Sequence, residues 1–89
     1  MASYALIKFK INKDFFDWEQ AFYSSQPMAR QAGIVELFHG RADDDPQTCF
    51  VLAQVSSKEA MDKFFAEAGD SIASSGHILE STEVTMLNN

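Results

Sequence analysis

The sequence predicts an α+β fold of the ferredoxin-like type: a four-stranded antiparallel sheet with helices on one face, in the order βαββαβ. Each half of the chain carries two strand-like stretches flanking a helix-periodic one, so strand, helix, strand occurs twice. The halves meet at Ala42-Asp43-Asp44-Asp45-Pro46-Gln47, a polar stretch rich in Asp. Asp bonds neighbouring backbone amides and Pro pre-sets φ, so this stretch reads as the turn of a hairpin. Right-handed crossovers then leave one sheet, with the first and third strands central.

Tyr4 to Ile11 alternates, with Ala5, Ile7, Phe9 and Ile11 on one side and Tyr4, Leu6, Lys8 and Lys10 on the other. The wholly apolar side should face the helices. Asn12 or Lys13 hands over to a helix, with Asp14 in its first turn, where a carboxylate suits the dipole. Phe15, Trp18, Ala21 and Phe22 form its apolar stripe. Pro27 would remove a bond from a helix interior. A break is therefore expected at Ser24-Ser25, with Pro27 in the first turn of a second short helix ended by Gly33.

Ile34–Arg41 and Thr48–Val55 are the second and third strands. In the third, Cys49, Val51, Ala53 and Val55 alternate with Phe50, Leu52 and Gln54, so both faces are apolar and the strand is interior. Ser56 with Glu59 fits a capping box opening the second helix, whose buried stripe is Ala60, Met61, Phe64, Phe65 and Ala68. Gly69 is expected to stop it, and Asp70 to cap one more turn over Ser71–Ser75, ended by Gly76. His77–Leu87 is interleaved with Glu, Ser and Thr and suits an edge strand.

Eighty-nine residues make one domain, 1–89. Surface scaling gives a folded area of roughly 5,200 Å², with about 64% of the extended chain's surface buried. The net charge is −6 and the seven Lys and Arg are scattered. Nucleic acid and anionic membranes both need clustered cations, so neither is an expected partner. The first dozen residues alternate and carry Lys8 and Lys10, unlike a signal peptide, and no apolar run approaches the ~20 residues of a membrane helix. The single cysteine, Cys49, rules out an internal disulfide and fits a reducing compartment, so a soluble, cytoplasmic protein is expected.

Helices cover only one face of such a sheet. Tyr4, Leu6, Phe50 and Leu52 then lie on the other, joined by either Ile34 and Phe38 or Val35 and Leu37. That is a larger apolar patch than a monomer usually exposes. A homodimer built sheet against sheet would bury it. Covering on the order of 400 Å² per subunit gives about 10 kcal/mol before association costs.

Phe9-Lys10-Ile11-Asn12-Lys13 with Phe16 and Trp18, then Asp44-Asp45-Pro46-Gln47, then Gly69-Asp70-Ser71-Ile72-Ala73-Ser74 resemble an uncharacterised family known chiefly from cyanobacteria. The likeness covers nearly the whole chain. It extends to the dimeric α+β barrel superfamily, which includes antibiotic-biosynthesis and haem-degrading monooxygenases. The resemblance implies two sheets meeting face to face and ligands held between sheet and helices. Haem-degrading members carry an Asn on the first strand, a Trp on the second helix and a His near that helix's end. Here only His77 matches, since Trp18 is on the first helix and no Asn precedes Asn12.

The candidate ligand-binding residues are His39, Arg41, Glu36, Tyr4 and His77. His39 shares a strand with Glu36 and Arg41 and would form the polar end of an otherwise apolar cavity. The rival reading has it capping the sheet edge. Strict alternation puts His39 and Arg41 on one face and Glu36 on the other, unless Gly40 marks a bulge that shifts the phase. His77 titrates near neutrality as an unperturbed ring, and as a capping residue it needs no function. Tyr4 and Tyr23 offer hydroxyls. Cys49 among apolar neighbours reads as inert core, and Asp43-Asp44-Asp45 lacks the mid-loop Gly and distal Glu of a calcium loop. No metal-ligand spacing occurs, and no cofactor is expected. Two functions stay open: a homodimeric module binding a small apolar molecule, which is favoured, and a cofactor-free monooxygenase-like enzyme.

Overall fold

The computed structural model describes residues 2–89. Its elements are β1 (Ser3–Ile11), α1 (Phe15–Gln31), β2 (Ile34–Ala42), β3 (Asp45–Val55), α2 (Lys58–Glu67), α3 (Gly69–Ser74) and β4 (His77–Asn88). The strands pair antiparallel in the order β2-β3-β1-β4, which places β1 and β3 at the centre as their apolar faces require. Ile7 lies opposite Val51 and Phe9 opposite Cys49, so the alternating residues of both strands make one buried layer under the helices. Phe15, Trp18 and Ala29 of α1 and Met61 of α2 close it from above. The accessible surface of 5388 Å² is what a folded chain of this mass should expose.

Several local expectations are corrected. α1 runs unbroken through Pro27, with no second helix. Pro27 is on the exposed side, and side chains serve carbonyls of the preceding turns: Ser24 donates to the Gln20 carbonyl, and Ser25 and Gln26 both donate to that of Phe22. None of these acceptors is the Tyr23 carbonyl, whose helical donor Pro27 removes, so the helix tolerates that loss where the proline faces solvent. The N-cap of α1 is Asp14 itself, accepting from the Phe16 amide at 3.1 Å. The cap of α2 is Ser57 rather than Ser56, accepting from Ala60 at 3.0 Å, so no Ser56–Glu59 capping box forms. Gly69 opens α3 instead of closing α2, and Asp70 lies inside its first turn. Gly33 does follow α1 at φ 87, and a Cβ there would meet the Ser56 hydroxyl at 2.5 Å.

The central turn is tighter than the six-residue stretch suggests, for only Asp43 and Asp44 lie between β2 and β3. Asp45 anchors the start of β3. Its carboxylate accepts from the Gln47 amide, the Thr48 hydroxyl and the Lys10 ammonium, which together hold its pKa down at about 2.

β2 carries the departure that matters for function. Glu36 pairs with Ala53 but Phe38 with Leu52, so Leu37 is an extra residue, a bulge. Gly40, opposite Phe50, lies in regular pairing. The Phe38 ring lies over it, 3.2 Å from where a Cβ would stand, so a larger residue would push that exposed ring aside slightly. The bulge reverses the alternation. Ile34, Glu36, His39 and Arg41 all turn to the helix side, and Val35 and Phe38 to the open side. Neither open-face pair expected from alternation holds as a pair: Ile34 and Phe38 are split between the two faces, and Val35 is on the open side while Leu37 is the exposed, unpaired residue of the bulge.

Candidate functional site

α1 packs over β2, while α2 and α3 lie over β3 and β4. The wedge between these helices, floored by Ile7, Phe9, Val51 and Ala53, is a cavity of about 570 Å³. That is the size of a small-molecule site, and its walls are the apolar kind such sites use. Trp18 and Phe22 line it from α1, and Phe64 and Phe65 from α2. Ser24, Ser25 and Gln26 of α1 face Ser71, Ser74 and Ser75 across it.

Two histidines bracket this space in opposite electrostatic states. His77 lines the cavity at the start of β4, stacked parallel on Phe9 with ring centroids 3.9 Å apart. Its Nε2 is 2.6 Å from the Thr82 hydroxyl. Burial pushes its pKa down to about 4, so the ring is neutral at physiological pH.

His39 is the reverse case. Its Nε2 lies 2.7 Å from Glu19 Oε2 on α1, and its Nδ1 bonds Glu36 on its own strand. Both ring nitrogens thus face carboxylate oxygens, which only an imidazolium can satisfy by donating twice. Burial works against the charge, yet the bonds to Glu36 and Glu19 outweigh it and raise the pKa above its ordinary value. The Tyr23 hydroxyl lies 3.5 Å from the same Nε2, and Phe22 packs against the ring. Burial and the Glu19 charge raise the Tyr23 pKa, keeping a proton on its hydroxyl.

The expected site residues separate accordingly. Glu36 and His77 line the cavity, and His39 stands behind Glu36. Arg41 is on the same face of the sheet but stacks over Phe15 and Phe16, 4.8 and 5.0 Å from their ring centres. Tyr4, paired with Gln54 and Leu87, is on the opposite face of the sheet from the cavity. Sequence reasoning missed Glu19 as a partner of His39. Its one trace is the i,i+4 spacing of Glu19 and Tyr23, which puts both on one helix face. Cys49 is fully buried, and burial pushes its thiol up to about 11. Among the described residues no cluster of His, Cys, Asp and Glu is arranged to hold a metal ion, and no helix is long and apolar enough to cross a membrane.

Solved structures share this fold at low identity. A Bordetella bronchiseptica protein provisionally named an antibiotic biosynthesis monooxygenase matches with a TM-score of 0.76 and 14% identity, over 100% of this chain and 98% of that one. SnoaB, a cofactor-independent oxygenase from Streptomyces nogalater, matches at 0.67 and 10%, over 99% and 92%. A conserved Methanosarcina mazei protein matches at 0.68 and 10%, over 100% and 93%. These likenesses show the fold alone, a ferredoxin-like one that this chain shares with those proteins. No curated protein matches the chain significantly. The family is set by sequence: over residues 2–89 the chain matches, and so belongs to, the domain-of-unknown-function family DUF3764.

Proposed function

We propose that the protein is a homodimeric binding module that holds one small, mainly apolar molecule per chain between sheet and helices. The observation that carries this is the cavity of about 570 Å³ itself, walled by Phe9, Trp18, Phe22, Phe64 and Phe65, with Glu36 and His77 as its ionisable groups and a rim of serines and Gln26. A ligand entering it would displace water from aromatic and aliphatic walls, which is favourable in proportion to the apolar area covered. The dimer is supported by Leu6, Val35, Leu37, Phe38 and Leu87, all exposed on the sheet or its bulge. A cytoplasmic location belongs to the same proposal and rests on the single, buried, unpaired thiol of Cys49.

Trp18 is the only tryptophan and lines the cavity, so it can report occupancy. Titration with the neutral apolar dye N-phenyl-1-naphthylamine should give saturable energy transfer from Trp18 at one dye per chain. Ala21→Phe, which fills the cavity from α1, should abolish it. Transfer that never saturates, or that survives Ala21→Phe unchanged, would remove the cavity from the account.

The alternative is a cofactor-free monooxygenase. It is supported by the fold shared with SnoaB, an oxygenase, and by Glu36, a cavity-lining carboxylate that would serve as a base toward a substrate. Oxygen uptake on addition of a cavity ligand separates an enzyme from a binding module.

A further inference from the structure

We propose that the cavity selects a cationic ligand: an aromatic or aliphatic body carrying a protonated amine, with the ammonium at Glu36 and the body among the aromatic walls. This rests on the reading of the cavity as a ligand site.

Among the described residues that line the cavity, Glu36 alone carries a formal charge; no Lys or Arg is there. One Glu36 oxygen is held by His39, whose ring is shared with Glu19. Two carboxylates against one imidazolium leave this end of the cavity with a net negative charge. The cluster is largely shielded from water, with 13% of the His39 side chain and 25% of that of Glu36 exposed, so solvent screens it poorly. His77, at another point of the wall, contributes no compensating positive charge, because burial keeps it neutral at pH 7. The one cation on this face of β2, Arg41, is held over Phe15 and Phe16 and does not line the cavity.

The remaining walls favour the same sign. Trp18, Phe22, Phe64 and Phe65 present aromatic rings, and ring faces attract ammonium groups. A carboxylate ligand would meet a like charge at Glu36 and find no cation in the wall, only the neutral donors of the serines, Gln26 and His77. A fatty acid or other anionic amphiphile is therefore disfavoured, and an amine of the same body is favoured.

The test is a calorimetric titration at pH 7 with three probes sharing one body: 2-naphthylmethylamine, 2-naphthylmethanol and 2-naphthoic acid. The amine should bind at least tenfold tighter than the acid, about 1.4 kcal/mol, with the alcohol between them. Glu36→Gln should bring the amine down to the alcohol's affinity. Glu67→Gln makes the same change in net charge at an exposed position on α2 and should leave the ranking as it was. Equal affinities, or an acid that binds best, would overturn the inference while leaving the cavity reading intact. A preference that survives Glu36→Gln, or vanishes equally in Glu67→Gln, would also overturn it. If Glu36→Gln fails to fold, the ranking in the parent and in Glu67→Gln decides. If none of the three binds, the cavity reading fails and this inference fails with it.

Discussion

Protonating His77 should cost the fold about 3 kcal/mol, and the pH at which that cost appears can be stated in advance. The ring is 6% exposed, stacked on Phe9, and its pKa is lowered from 6.5 to about 4 by burial. Above pH 6.5 it is neutral in both the folded and unfolded chains and adds no pH dependence. Between pH 6.5 and 4 the unfolded chain binds a proton that the folded chain refuses, so stability falls as pH falls. Each pH unit in the middle of that window is worth about 1.4 kcal/mol and less near its ends, where one form is half titrated, which sums to about 3 kcal/mol at pH 4. A domain of this length has a total stability on the order of 4–13 kcal/mol, so the loss is a sizeable fraction of it. His77→Phe keeps the stacking on Phe9 and removes the titration. Urea denaturation of parent and variant at half-unit steps from pH 4 to 7 should show the parent losing about 3 kcal/mol more than the variant. Acidic groups common to both cancel in the difference. Parallel curves, or an NMR titration placing His77 near 6.5, would refute the reasoning.

Three further outcomes follow from the geometry. Trp18, 2% exposed and 4.9 Å from the Phe22 ring centre, should cost ~3–5 kcal/mol when cut to Ala, which lowers the melting temperature by more than about 12 °C; a variant that melts within a few degrees of the parent yet loses ligand would leave Trp18 a wall of the cavity only and not a core residue. His39 has a raised folded pKa, so its stabilising pairing is complete below pH 6.5 and is lost as pH rises through the folded value. The parent's advantage over His39→Gln should therefore shrink on the alkaline side, and a constant gap from pH 6 to 9 would contradict the imidazolium assignment. Light scattering at micromolar concentration should give twice 9.9 kDa, and Leu6→Asp with Phe38→Asp should give the single-chain mass; a parent that stays monomeric removes the sheet-to-sheet dimer.

The strand order, the helix stripes and the buried alternation of β1 and β3 were legible because burial imposes period two on a strand and a wider period on a helix. Pro27 misled because its cost is local and visible, while its place on the solvent-facing side of a 17-residue helix is set by how α1 packs on the sheet. The candidate site was half legible. Gly40 drew attention as a possible bulge, but the bulge is at Leu37, an ordinary apolar residue with no backbone signature of its own. That single insertion brings Glu36 to the same side as His39 and Arg41. Glu19 reaches His39 only through the packing of α1 on β2, a tertiary contact that no spacing within either segment encodes.

The central claim is that the wedge between α1 and the paired helices α2 and α3 holds a small molecule. Native mass spectrometry of the protein as it comes from cells tests it most directly. The account predicts a population heavier than the bare chain by the mass of one small molecule per chain, released on unfolding and absent in Ala21→Phe. Bare polypeptide mass in every charge state, together with no thermal shift across a panel of apolar amines, alcohols and acids, would contradict it.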